Sequence, residues 1–271
     1  MIKRSLKKAR NFLTTIRHFQ NWKEILKDKH PNTVIFRNGL EIYSPETETL
    51  MELVSEIFIR KVYAPKLVAI EPRDVVVDIG ANIGLFTMFA AQRTQNQVYA
   101  FEPFPGNTKI LNQNLLANQL KNVVLHEKVV SDKSGTAKLF ISQASTGHLI
   151  FNKNIRGPLE KFIQVPSTTL TDFMEEAKLS EIDFLKLDCE GAEGHILSST
   201  SNDVLARIRK IALEFHDNVS ILQHDDIRRL LRTAGFEIQM VWDGESPFGY
   251  IYAKRKDVKK KAHSRKKARA R

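Results

Sequence analysis

The chain has 271 residues, which bounds it to one domain or to one domain with an added piece, long enough to bury about three-quarters of its unfolded surface. Hydrophobic residues at 42% and charged residues at 27% exclude disorder throughout, a collagen-like repeat and a membrane bundle. The net charge of +11 is held at the ends: residues 1–17 carry six Lys/Arg and no acid, residues 254–271 carry eleven Lys/Arg and one acid, and residues 18–253 are left with 25 basic against 30 acidic side chains.

The chain starts on a basic front followed by the short apolar run Phe12 to Ile16, which Arg17 and His18 interrupt. This does not read as a secretory signal, and no apolar run approaches the roughly 18 residues of a membrane span. Over 5–29, Leu6, Phe12, Leu13, Ile16, Phe19, Trp22, Ile25 and Leu26 recur three or four apart, which predicts a helix. Its apolar stripe is either a packing face or, given the basic polar side, a membrane-surface face. TVIFRNGLEIYS reads as a hairpin around Asn38-Gly39, and 46–63 as another helix ending before Pro65. Residues 1–69 thus form a helical and hairpin extension.

From Asp74 the pattern becomes strand–helix alternation. β-rich runs fall at 75–79, 97–102, 123–130, 182–188, 210–216, 236–241 and 248–254, with helical stretches at 84–93, 105–118, about 169–178, 192–207 and 224–234. This predicts an α/β domain over 70–253 with a mostly parallel sheet covered on both faces. Residues 132–166 break the rhythm with KLFIS and FIQV and read as a β-type insertion beside the sheet. WDGESP links the last two runs without a helix, so the final strand should run antiparallel to its neighbour. The tail, KRKDVKKKAHSRKKARAR, should stay unfolded because like charges repel and little apolar surface is available. It is either a solubilising segment or a non-specific contact for nucleic acid or an anionic membrane. Cys189 is the single cysteine, so no internal disulfide forms. The expected location is cytoplasmic, free or peripheral at a membrane.

In such sheets ligands bind beyond the carboxyl ends of the strands, and the chemistry-bearing residues gather there. Asp78-Ile79-Gly80-Ala81-Asn82-Ile83-Gly84 follows a strand and opens a helix. Gly80 allows a tight turn and close approach to a ligand, and Gly84 allows close helix packing. Asn82 stands where a dinucleotide fingerprint would carry its second glycine, and Asp78 would repel a pyrophosphate. A cationic donor such as S-adenosylmethionine suits that acid better; a purely structural turn is the alternative. Glu102, in YAFEPFP, ends the next strand and is placed to accept hydrogen bonds from both hydroxyls of a ribose. Ser131 and Asp132 end the third strand, where a polar side chain meets an adenine edge or merely starts a turn. In IDFLKLDCEGAE, Asp188, Glu190 and Glu193 crowd one loop, which is costly without a compensating cation, proton or helix N-terminus. Glu193 has the last of these; Asp188 and Glu190 do not.

DIGANIGLFT, FEPFP, VSD and IDFLKLDCEGAE together resemble the FkbM family of S-adenosylmethionine-dependent methyltransferases, over roughly residues 70–240. The resemblance implies a class I methyltransferase (Rossmann-like) fold with a seven-stranded sheet, and methyl transfer usually to an oxygen. It carries cofactor binding onto Asp78, Gly80, Asn82, Glu102, Ser131 and Asp132, and a site onto Asp188 and Glu190. Cys189 departs from it, where a small aliphatic residue is expected.

Methyl transfer to an alcohol needs alignment and a base or a metal for the hydroxyl proton. His216, ending the fifth strand, is the best base by residue type, with Glu214 on its strand face. Asp188, Glu190, Glu214 and His216 could also hold a divalent ion such as magnesium. Cys189, beside two acids, is a poor nucleophile. The leading expectation is an O-methyltransferase acting on a sugar hydroxyl in a glycan, glycolipid or secondary metabolite. A nucleic-acid methyltransferase and a non-catalytic nucleic-acid or membrane-binding protein are the alternatives that the basic ends suggest. Against the first stands Asp-Cys-Glu-Gly where an Asn-Pro-Pro-aromatic signature would sit.

Overall fold

The computed structural model describes residues 12–28, 30–45, 47–141 and 161–256. Most of the basic tail and the middle of the insertion expected over 132–166 lie outside the described residues.

The expected helix over 5–29 is described in two pieces, α1 (12–18) and α2 (Trp22–Lys27). Between them Phe19 forms an antiparallel bridge to Phe36, and Gln20 N donates to Ile35 O at 2.7 Å. Seating Phe19 edge-on against Phe36, ring centroids 4.9 Å apart, outweighs continuing the helix. β1 (Thr33–Ile35) and β2 (Glu41–Tyr43) form the hairpin expected around Asn38-Gly39. α3 (Thr47–Val54) widens into a π-type turn over Ser55–Arg60, and Lys61 ends it in a left-handed conformation.

Seven strands build the central sheet: β3 (Val76–Ile79), β4 (Val98–Phe101), β5 (Val123–His126), β9 (Ile182–Leu187), β10 (Ile208–His216), β11 (Phe236–Val241) and β12 (Phe248–Arg255). Their order is β11-β12-β10-β9-β3-β4-β5. All pairings are parallel except those of β12, which is antiparallel to both β10 and β11. The helixless WDGESP link is the reason: a short turn can only return the chain antiparallel. This is the mostly parallel, seven-stranded class I methyltransferase architecture. β12 continues through Arg255, so the first two residues assigned to the basic tail are strand residues, paired with Lys210 and Phe236.

The run expected over 123–130 divides. β5 stays in the main sheet, while β6 (Val129–Val130) pairs with β8 (Phe162–Thr168), which pairs in turn with β7 (Gly135–Phe140). The described parts of the insertion thus join β6 in a separate three-stranded sheet beside the cleft.

Side-chain alternation gives the sheet two cores. Val76, Val98, Phe184 and Ala212 face one layer, shared by the N-terminal extension, α4 (Leu85–Ala91) and α5 (Pro105–Ala117). Val77, Phe101, Leu185 and Leu213 face the other, covered by α6 (Leu170–Glu176), α7 (Glu193–Ser199), α8 (Asn202–Leu205) and α9 (His224–Thr233). The extension therefore closes one face of the sheet, and Phe19, Ile42 and Leu50 share one cluster with Phe86 and Phe89.

Candidate active site

The carboxyl ends of β3, β4, β9 and β10 surround a cavity of about 200 Å³, lined among others by Gly80, Asn82, Glu102, Asp188, Glu190 and His216. Six of the ten residues singled out from sequence thus meet in one place. The other four do not line it. Gly84 starts α4 at φ +92°, and a Cβ there would lie 2.8 Å from the Leu111 side chain, so its part is close packing. Ser131 donates its N–H to Thr168 O at 2.9 Å and its hydroxyl to Asp132 Oδ1 at 3.1 Å.

Asp78 corrects the charge argument made from sequence. It is fully buried beneath the glycine turn, where Thr87 donates to Oδ2 at 2.6 Å. Oδ1 makes no aligned hydrogen bond and is met by the charge of Lys186 Nζ at 3.1 Å. The acid expected to face a cationic ligand is already paired from within the sheet. Lys186 also donates to Gly80 O at 2.8 Å and lies 3.4 Å from Asp188 Oδ2. Burial opposes its charge, but Asp78 and Asp188 outweigh that and raise its pKa. A charged residue within the apolar strand IDFLKL was the signal for this pair: a buried lysine needs a carboxylate partner.

The glycine turn is fixed by what crosses it. Gly80 sits at φ +81°, and a Cβ there would lie 1.8 Å from the Asp188 carbonyl oxygen. Gly80 N and Ala81 N both donate to Phe101 O. Asn82 follows at φ +51° and donates its N–H to Glu102 Oε2 at 2.8 Å. Its side-chain Oδ1 is buried without a hydrogen-bond partner. Glu102 Oε1 accepts from Phe104 N at 2.9 Å and Asn107 Nδ2 at 3.3 Å. Burial lifts its carboxyl to about 7 against the pull of these donors.

At the opposite wall the chain approaches Glu190 and Gly191 through consecutive left-handed residues, φ +54° and +100°. Glu193 holds this loop, accepting from Cys189 N at 2.8 Å and Gly191 N at 2.9 Å. His216 Nδ1 lies 3.2 Å from Glu193 Oε1 and Nε2 lies 3.8 Å from Glu190 Oε2. Burial alone would lower the pKa of His216, but Glu193, Glu190 and Asp188 together carry it up to about 10. This upward shift works against the role of base expected for His216, because a protonated imidazole has no lone pair to accept a proton. Burial raises Glu190 to about 7, with His216 holding it from going higher. The Cys189 thiol is raised well above its ordinary value, first by burial and then by Glu193 and Asp188, which agrees with its dismissal as a nucleophile.

Tyr63 is the residue that sequence reasoning missed. Its hydroxyl comes from the N-terminal extension and lies 2.8 Å from Asp188 Oδ2 and 2.6 Å from Glu214 Oε2. The Tyr63 hydroxyl is thus shared between the two carboxyls. Burial, and then the nearby Asp188, raise the Glu214 carboxyl to about 8. Asp188, Glu214 and His216 each bring a ligand atom within 4.8 Å of the others. Their contacts are already shared within the site: Asp188 Oδ2 with Lys186 and Tyr63, Glu214 Oε2 with Tyr63, and His216 Nδ1 with Glu193. No helix among the described residues is long and apolar enough to cross a membrane.

A family model described as "Methyltransferase FkbM domain" matches residues 78–238. The chain is 27% identical over 234 residues to the 31-O-demethyl-FK506 methyltransferase FkbM of Streptomyces tacrolimicus, covering 76% of this chain and 89% of that protein. It is 27% identical over 161 residues to the 2-O-methyltransferase NoeI of Sinorhizobium fredii, covering 54% of this chain and 65% of that protein. The crystal structure of a methyltransferase FkbM from Methylobacillus flagellatus KT aligns with 15% identity and a TM-score of 0.47, covering 76% of this chain and 54% of that one.

Proposed function

The chain belongs to the FkbM methyltransferase family, and from that premise we propose that it transfers a methyl group from S-adenosylmethionine to a hydroxyl oxygen of a sugar, glycan, glycolipid or secondary metabolite. One observation carries this reading. The same cavity holds an unpartnered, buried Asn82 Oδ1 beside Glu102 at one wall, and a carboxyl poised near neutrality, Glu190, at another. The two relatives named above are both O-methyltransferases by name, which points to oxygen as the acceptor atom.

S-adenosylmethionine supplies a methyl carbon made electrophilic by its sulfonium. Glu102 would accept hydrogen bonds from the ribose hydroxyls, and Asn82 Oδ1 would offer a further acceptor. Gly80 keeps the turn free of a side chain, so the backbone itself forms that wall. As the new C–O bond forms, the methyl–sulfur bond would break to leave a neutral thioether, and the acceptor alcohol would lose its proton. Glu190 lines the cavity and has a pKa matched to neutral pH, which is the condition for efficient general-base catalysis. The proton moves from the acceptor hydroxyl to a Glu190 carboxylate oxygen. The charged His216 beside it favours the ionised carboxylate before transfer. Asp188 and Glu214 are positioned by Tyr63 on the same side of the cavity.

Calorimetry with S-adenosylmethionine, repeated on Glu102→Ala, tests the cofactor wall. Binding should weaken at least tenfold, since a buried pair of charge-assisted hydrogen bonds is worth roughly 1.5–3 kcal/mol. Unchanged affinity would remove Glu102 from the ribose. An acceptor screen with labelled methyl donor, run with and without chelator, tests the rest. Label on a sugar or polyol oxygen, insensitive to chelator, is expected. Label on a nucleobase nitrogen, or transfer that stops with chelator, would overturn the reading.

A further inference from the structure

A second concave surface shares no lining residue with the candidate active site. It is a groove of about 400 Å³ bordered by Arg17 at the end of α1, Arg37 in the hairpin turn, Lys61 after the π-type turn and Arg93 after α4, with Phe36 and Phe58 among its apolar lining. Among the described residues no acidic side chain lines it. Arg37 Nε donates to Ile16 O at 2.9 Å, and Arg93 Nη1 donates to Phe89 O at 2.6 Å, with its guanidinium stacked on the Phe89 ring. Among the described residues none of the four cations forms an ion pair. Four clustered cations without a counter-charge are mutually repulsive, and an anion seated among them relieves that repulsion.

The groove also has an apolar margin. Phe12 and Leu13 on α1 are 46% and 65% exposed. Leu13 and Arg17 are four residues apart and so share a helix face. This resolves the stripe expected over 5–29: Phe19 and Ile25 turn into the core, while Phe12 and Leu13 do not. The sequence before them, residues 1–11, adds five Lys/Arg and no acid. Phosphodiesters of a nucleic acid would be served by the cations but would leave Leu13 unused. An exposed leucine beside cations matches a lipid interface, where apolar side chains enter the headgroup–acyl boundary and cations meet phosphates.

We propose that this face docks the protein on an anionic lipid bilayer, with headgroup phosphates between Arg17, Arg37, Lys61 and Arg93, and with Phe12 and Leu13 inserted at the boundary. The proposal is independent of the methyl-transfer reading, because it uses none of the cavity residues.

Flotation of the full-length protein with vesicles of phosphatidylcholine, alone or mixed with phosphatidylglycerol, tests it. Binding is expected only to the anionic vesicles. Each cation near such a surface contributes about fivefold in affinity, so Arg17→Glu with Lys61→Glu should weaken binding by roughly tenfold or more. The basic ends would also respond to a change of net charge. The control is therefore the same reversal at Lys178 and Arg232, which lie on segments packed against the other face of the sheet; this pair should cost much less. Leu13→Asp, which alters one side chain on an exposed turn, should weaken binding as well. Equal losses from the two charge-reversal pairs, equal binding to neutral vesicles, or full binding by Leu13→Asp would overturn the proposal. So would tighter binding to RNA than to anionic vesicles that is lost in the Arg17/Lys61 variant.

Discussion

Glu190 is where backbone and side-chain chemistry meet. A non-glycine residue at φ +54° is held there by its surroundings, and here the holder is Glu193, whose carboxylate takes the N–H groups on both sides of it. The strain aims an ionisable group into the cavity, and burial brings its pKa to about 7. Glu190→Gln keeps the shape and removes the proton acceptor. Turnover should fall by about 10²–10⁴-fold, the usual contribution of a positioned base, while S-adenosylmethionine affinity by calorimetry stays within about twofold. Because a base works deprotonated, the wild-type rate should rise with pH and level off above about 7. The variant's residual rate should lack that limb. A variant that keeps the limb would move the base to another residue.

Among the elements, the decisive contact is the crossing of the glycine turn after β3 by the end of β9. Gly80→Ala would put a Cβ 1.8 Å from a carbonyl oxygen at φ +81°. The left-handed backbone costs about 1–2 kcal/mol and the overpacking about 1–3 kcal/mol more. Gly39, at φ +88° in the hairpin, has nothing within 4 Å of a built Cβ. Gly39→Ala therefore isolates the backbone cost. In thermal melts Gly80→Ala should be the less stable of the two and should bind S-adenosylmethionine poorly; equal melting temperatures would show that the crossing does not fix the turn. This crossing also explains what was legible in the sequence. Central parallel strands are buried on both faces, so β3 and β9 announce themselves as apolar runs, and topology then places their ends together. Together with the ends of β4 and β10, they bring Gly80, Asn82, Glu102, Asp188, Glu190 and His216 to one cavity. Tyr63 is not legible in this way, because it meets residues 125 and 151 positions away from an extension whose docking no local period records. The break of the N-terminal helix at Phe19 was hidden for a related reason: burial against Phe36 satisfies the same apolar spacing as a continuous helix.

At the scale of the whole molecule, the cavity stores negative charge in a form that depends on pH. Glu102 and Glu214 rise from 4.5 to about 7 and about 8 because burial disfavours their ionised forms. Over that interval the folded protein binds more protons than the unfolded chain, so its stability falls as pH rises from about 4.5 to about 8. His216 acts in the same direction. Its raised pKa gives stability that is fully present below 6.5 and is lost as pH climbs through about 10. Glu190 adds a smaller contribution of the same sign, since its side chain is 37% exposed and partly screened by solvent. At about 1.4 kcal/mol per pKa unit, Glu102 alone accounts for about 3 kcal/mol. The ligand-free protein should therefore melt highest near pH 5 and lower near pH 8, with the Glu102 share alone on the order of 5–10 °C. A cationic donor that also hydrogen-bonds Glu102 favours the ionised carboxylates, so the rise in melting temperature produced by S-adenosylmethionine should grow over the same interval. Differential scanning calorimetry across pH 5–8, with and without the donor, reads both effects. A ligand-free melting temperature that climbs toward pH 8 would mean that these carboxyls ionise at their ordinary values, and the base assigned to Glu190 would lose its physical footing with them.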